Sequence, residues 1–414
     1  MTHGSTGTGK PLRVAMLANL FRPVVSGSST QVEGLARALT LQGHHCVVIT
    51  AHVDPNTPSR EVIDGFEVHR IPALHLPKME ISLSFPWLNW VLWPKNLRLI
   101  ENLLKEHRIE VLHVHNHMFD MAFVGAILRR RLHLPMILTM HTVIKHANAG
   151  YNAILKFFDR VLLGSLVIRR ADRIICPDNN MRAYLESRFG MMKSDLVTYG
   201  VDPPRPVLDE ELNEMRRAYQ LEGRRVIVSV GHVHAIRNRH ELLRALPAVI
   251  ERVPNVKLVI VGGVFSNSTT DLVAELGIGE HVIFVGPQER SKISAFLKLA
   301  EIEAHWLNQD EGTWASPGLA SMEAMYAGLP VLTVSNEGIY GAGVLKDGEN
   351  IVLIQREQIE ALSERLYELL SRPELARSIG ARAAETCDAH FSWPMTARST
   401  AAVYGGAMRA KHRQ

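Results

Sequence analysis

The sequence is short of several things, and each shortage excludes something. It holds three cysteines in 414 residues, Cys46, Cys176 and Cys387, far apart and with no Cys-x-x-Cys pair. That excludes a disulfide framework or thiolate metal knot and points to a reducing compartment. No run of about 18 apolar residues occurs, so no membrane span is expected. The N-terminus has no signal-peptide core, which leads to a cytoplasmic placement. Neither Gly-bearing turn has Gly-x-Gly-x-x-Gly spacing with an acidic residue about 20 positions on, which disfavours an NAD-dependent oxidoreductase. Charge of either sign is modest: the net value is +4 and the pI about 8.9. An ordinary solvated surface accounts for that balance, with a phosphorylated ligand or an anionic membrane surface as the second reading. Gly4 to Lys10, GSTGTGK, imitates a P-loop. Pro11 stands where the magnesium-binding Ser or Thr belongs and no strand precedes it, so residues 1–10 read as a disordered tail.

What is present is a soluble globular composition, 46% hydrophobic and 21% charged, long enough for two or three domains. Buried-strand runs at Leu12–Leu20, Val47–Thr50, Val111–His117, Pro135–Thr142 and Ala171–Pro177 alternate with helical stretches such as Thr30–Gln42. Pro203, Pro204 and Pro206 form a stiff connector. The pattern then restarts at Val226–Gly231, with a helix at Glu241–Val253 and strands at Val256–Val261, His281–Val285 and Val331–Val334. Repeated β-α-β units with Gly at strand ends, occurring twice, predict an α/β protein with two Rossmann-like doubly wound domains. Their bounds read as 11–203 and 204–389, with a closing helical segment at 390–414.

The most informative run is Trp314–Thr333, WASPGLASMEAMYAGLPVLT. Pro317 and Gly318 precede good helix formers, so a helix is expected to start there. The amides of Gly318, Leu319 and Ala320 then form a potential phosphate cradle at its positive end. Glu323 follows one turn later with almost no charge around it in sequence, and its burial requires a hydrogen-bond donor. Elsewhere, Gly27 lies among Ser26, Ser28 and Ser29 in a loop suited to an anion. His113, His115 and His117 fall on alternate residues of a strand and are expected to share one face. A zinc site there is conceivable, but hydrogen-bonding or substrate contact is the commoner role. Trp87, Trp90 and Trp93 are spaced three apart, as on one helical face. They read as core packing, or as a contact with an acceptor or a lipid interface.

These residues carry a resemblance to the retaining glycosyltransferases of family 4, which have the GT-B fold with a central cleft. Glu323, Ala324, Met325, Gly328, Pro330 and Val331 match the second half of that family's nucleotide-sugar signature. Its first Glu maps onto Ala315 and its first Gly onto Ser316, with Asp310 and Glu311 in an insertion just before. Either acid is a candidate to replace the missing Glu.

The resemblance implies a donor site of Gly27, His232, Arg237, Ser316, Gly318, Leu319, Ala320 and Glu323. Arg237 and His232 would pair with a diphosphate, helped by Arg239 and His240, and Glu323 would bind ribose hydroxyls. His141 would stand beside the reacting sugar, and Ser26, Ser28, His115 and His117 on the acceptor side. His141, Arg237 and Glu323 are the expected catalytic set. No Asp-x-Asp triplet occurs, so neither a metal nor any other cofactor is expected. The expected reaction moves a sugar from a nucleotide-diphosphate sugar, UDP favoured over GDP, to an acceptor hydroxyl. A GT-B epimerase or phosphorylase, or a non-catalytic nucleotide-sugar binder, is the alternative.

Overall fold

The computed structural model describes residues 10–24, 26–76, 88–144, 149–190, 193–233, 239–265, 267–305, 316–355 and 358–411. The chain divides into two compact units, Met1–Gly200 with Trp393–Gln414, and Val201–Ser392. The bounds read from the sequence lie a few residues from these divisions, and the C-terminal helix Trp393–Lys411 belongs to the first unit. Residues 1–9, which include most of the P-loop-like stretch, lie outside the described residues.

The first unit contains β1 (Arg13–Ala18), β2 (His45–His52), β3 (Arg60–Ile63), β4 (Phe66–Pro72), β5 (Leu74–Leu76), β6 (Leu88–Trp90), β7 (Val111–His115), β8 (Met136–Thr139), β9 (Arg173–Cys176) and β10 (Ser194–Leu196). Eight of them form one sheet in the order β10-β9-β8-β7-β1-β2-β4-β3, while β5 and β6 pair separately. Only the edge strand β3 runs antiparallel in the large sheet. Apolar side chains cover both faces. Leu17, Val47 and Leu112 lie in one core cluster, and Val14, Val48 and Val111 in another that includes Trp393 and Tyr404 of the C-terminal helix. Burial on both faces explains why these strands read as continuous apolar runs. Trp393 is seated by absence of side chain: a Cβ on Gly34 would fall 2.0 Å from its ring, and one on Gly200 2.3 Å.

The second unit contains β11 (Arg225–Val230), β12 (Val256–Val261), β13 (Val282–Gly286), β14 (Ile302–Ala304), β15 (Val331–Thr333) and β16 (Val352–Leu353). Their order is β13-β12-β11-β14-β15-β16, all parallel. In each unit the chain winds outward from its first strand in one direction and then returns to build in the other. The reversal lies between β1 and β7 in the first unit and between β11 and β14 in the second. The crevice beyond the carboxyl ends at such a reversal is where open α/β sheets hold ligands.

Candidate active site

In the second unit the reversal is framed by two glycine-bearing turns. Gly231, directly after β11, has φ +139°, and a Cβ there would lie 2.7 Å from the His305 ring. Gly262 after β12 has φ +145°, and its Cβ would fall 2.4 Å from the Gly231 carbonyl oxygen. Only glycine lets the two turns approach this closely. His232 follows on the exposed side. Its Nδ1 accepts the Gly263 N–H at 2.9 Å, which leaves the ring proton on Nε2 as an outward donor. Arg237 lies outside the described residues, as do Asp310, Glu311 and Ala315. Arg239 is described and turns inward: it is buried, and donates to Ser229 Oγ and to the Gly231 carbonyl, each at 2.8 Å. The sequence placed it as an aid to phosphate binding. Burial and these bonds commit it to the protein instead.

The helix Leu319–Tyr326 begins where expected, with Gly318 as its N-cap in extended conformation (φ -72°, ψ 173°) and no side chain closing its first amides. Ser316 and Gly318 are half-buried beside that end. Glu323 is not alone in space. Arg290, from the helix Arg290–Leu299, donates to its Oε1 at 2.9 Å and reaches Asp202 Oδ2 at 3.2 Å. Burial raises the Glu323 carboxyl above its usual range, and Arg290 opposes the shift. Deeper in, Glu303 of β14 has no solvent exposure, and burial pushes its carboxyl up to about 8, with Ser321 and Arg239 pulling the other way.

In the first unit the helix Gly27–Leu41 starts three residues before Thr30, because Ser26 caps it. Ser29 N–H donates to Ser26 Oγ, Ser26 N–H to Ser29 Oγ, and Ser28 Oγ lies 3.2 Å from Ser26 Oγ. Gly27 is thus the first helical residue, and the loop hydroxyls are engaged in the cap.

The histidines do not all share a face. His113 and His115 do, with ring centroids 4.1 Å apart, but β7 ends there and Asn116 has φ +74°. That left-handed residue breaks the alternation and sends His117 elsewhere. It is fully buried, its Nε2 3.3 Å from Asp159 Oδ1, and Tyr184 Oη donates to the same carboxylate. His113 bonds Tyr404 Oη and Thr139 Oγ1, each at 2.7 Å. His141 spans Tyr199 Oη at 2.8 Å and His115 Nδ1 at 3.1 Å. Loss of hydration drives His113 and His141 down to about 3 and His115 well below its usual value. All three are therefore neutral near pH 7.

Residues 25–205 match the family described as Glycosyltransferase Family 4, and residues 212–386 that described as Glycosyl transferases group 1. The chain belongs to glycosyltransferase family 4. Spore coat protein SA of Bacillus subtilis is 25% identical to it over 411 residues, covering 95% of this chain and 99% of that one. D-inositol 3-phosphate glycosyltransferase of Mycobacteroides abscessus is 29% identical over 314 residues, 71% of this chain and 66% of that one. The structure of Anabaena Alr3699/HepE in complex with UDP superposes with TM-score 0.70 at 15% identity, covering 95% of this chain and all of that one. The fold is therefore GT-B, and this glycosyltransferase builds it from the two parallel sheets described above.

Each edge of the glycosyltransferase has its own chemistry. The second unit offers backbone amides, an imidazole N–H and a guanidinium held by two carboxylates, all at one sheet end. The first offers neutral imidazoles and hydroxyls bonded to one another. Arg290, Tyr199, Asp159 and Glu303 escaped the sequence reading. Only Glu323 gave a signal for one of them, since a buried carboxylate demands a donor.

The tryptophan stripe is also corrected. Trp87 lies outside the described residues, Trp90 ends a strand, and Trp93 caps the helix Pro94–Glu106. Pro94 at the first helical position starts the helix after Trp93, so the spacing of three never becomes a helical face. No helix among the described residues is long and apolar enough to cross a membrane.

Proposed function

We propose that this glycosyltransferase moves a sugar from UDP-sugar to an acceptor hydroxyl, keeps the anomeric configuration and needs no metal ion. The observation that carries the reading is the carboxyl edge of the second sheet. The amides of Gly318, Leu319 and Ala320, at a helix start with no side-chain cap, and the Nε2–H of His232, in the turn after β11, are the donors assigned to the diphosphate. As the anomeric C–O bond breaks, negative charge grows on the leaving diphosphate and positive charge on the sugar. Pre-placed amides, the helix dipole, Arg237 and Arg290 stabilise the first. The acceptor oxygen forms the new bond, and its proton passes to the leaving phosphate oxygen. Glu323, steadied by Arg290, accepts from the ribose hydroxyls.

His141 is a neutral positioning group in this scheme. With both nitrogens engaged it shapes the sugar pocket and holds His115, and it moves no proton. Retention follows from the resemblance to the family, and the preference for UDP is supported by the UDP held in the Anabaena protein of like fold.

Calorimetric titration with UDP, GDP and ADP in EDTA tests the reading. Selective UDP binding, with turnover unaffected by chelator, is expected. Preference for GDP, or turnover only with added magnesium or manganese, would overturn the donor or the metal-free part. The anomeric coupling in the product's proton NMR spectrum checks retention.

A further inference from the structure

At the opposite, amino-terminal end of the first sheet stands a group that the transfer reaction does not use. The β2–β4 register sets Glu67 beside Val47 and His69 beside Ile49. Alternation along the strands therefore puts His45, Glu67 and His69 on one face. His107, the C-cap of the helix Pro94–Glu106, comes down onto that face. His45 Nε2 lies 3.5 Å from His107 Nδ1, and Glu67 Oε1 lies 3.7 Å from the same nitrogen.

We propose that His45, Glu67 and His107 form a structural site for a zinc-class divalent ion. Zinc bonds of roughly 2.0–2.2 Å from imidazole and carboxylate, set tetrahedrally, place neighbouring ligand atoms about 3.4 Å apart. The three candidate ligand atoms all lie within 4.8 Å of one another, and two of their separations are close to that edge. A hydrogen bond explains the spacing less well, because 3.5 Å is at its outer limit. His69 adds a third imidazole, its Nε2 3.5 Å from Glu67 Oε2 and buried without a hydrogen-bond partner among the described residues.

Two cations flank the group. Arg60 donates to Glu67 Oε2 at 2.7 Å, which leaves Oε1 turned to His107. Arg13 is directed to the His107 carbonyl. One carboxylate and two imidazoles select a borderline ion such as Zn²⁺ over Mg²⁺, which prefers oxygen ligands. The ion would join two strands and a helix end, away from the carboxyl edge where transfer is proposed.

The test uses tag-free, full-length protein stripped with chelator. Titration with Zn²⁺ is expected to show one equivalent bound per chain with a rise in Tm. Co²⁺ in its place is expected to give the visible absorption of a tetrahedral ion, and Mg²⁺ neither effect. His45→Ala, at a half-exposed position, and the shape-conserving Glu67→Gln should each abolish the one-equivalent event and the cobalt spectrum. Absence of stoichiometric binding, or binding retained unchanged in both variants, overturns the site. UDP affinity in EDTA is independent of it, so failure here and failure of the transferase reading are separable.

Discussion

The two units share a winding plan and differ in what they place at its reversal point. At the end of β11 and β14 the second unit leaves donors open, helix amides without a cap and a His232 proton turned outward, while Arg290, after β13, is held between Asp202 and Glu323. At the end of β1 and β7 the first unit closes its polar groups on one another, Ser26 with Ser29 and His115 with His141 and Tyr199. Topology makes two similar crevices, and side-chain pairing decides which is ready for an anion. The same difference separates positions where substitution should harm binding from positions where it should harm only stability.

The largest effect that would sharpen this contrast is at Glu323 and Arg237. Replacing either with Ala should weaken UDP binding by about 1–3 kcal/mol, the scale of a lost hydrogen bond to a charged group. Unchanged affinity by calorimetry in both folded variants would break the assignment of the anion to the second unit. Gly262→Ala comes next. Its Cβ would meet the Gly231 backbone at 2.4 Å and a φ of +145°. Destabilisation by about 1–3 kcal/mol is expected from that strain, read by urea unfolding, together with weaker UDP binding. Tyr404→Phe is the counterpart in the first unit. It leaves His113 Nδ1 without its 2.7 Å partner and should cost about 1–3 kcal/mol of stability, with UDP affinity unchanged.

A smaller effect concerns pH. The Glu303 carboxyl is raised from 4.5 to about 8 in the folded chain, so folding favours its protonated form. The stability this gives is complete below about pH 4.5 and is lost as pH rises through about 8. Glu303→Gln should flatten that decline, measured as Tm against pH relative to wild type. The least effect is expected at the surface of the first unit. Tyr151 and Phe157 are 57% and 64% exposed, so Tyr151→Ser/Phe157→Ser should leave both Tm and UDP affinity nearly unchanged.

Much of this was legible in the chain. Val256–Val261 and the start of the 319 helix were readable because a buried parallel strand is apolar throughout and a helix start has Gly or Pro before strong formers. The β3–β4 hairpin also had a signal in Asp64-Gly65, both with positive φ, a turn pair that favours two-residue hairpins. His117 was misplaced for a local reason. One left-handed residue, Asn116, ended the alternation, and nothing in Val-His-Asn-His announces that. Arg290, Tyr199 and Asp159 were hidden for a different reason, since each meets its partner across a long sequence separation.

The amino-acid sequence by itself determined the two repeated β-α-β series, the family and the Gly318–Glu323 segment. All of these depend on periodicity and short-range spacing, which the chain carries locally. Tertiary structure alone decided that Arg290 neutralises Glu323, that Arg239 turns inward, and that His45, Glu67 and His107 converge. Those are pairings of distant residues, and they exist only once the sheets have brought their strands into register.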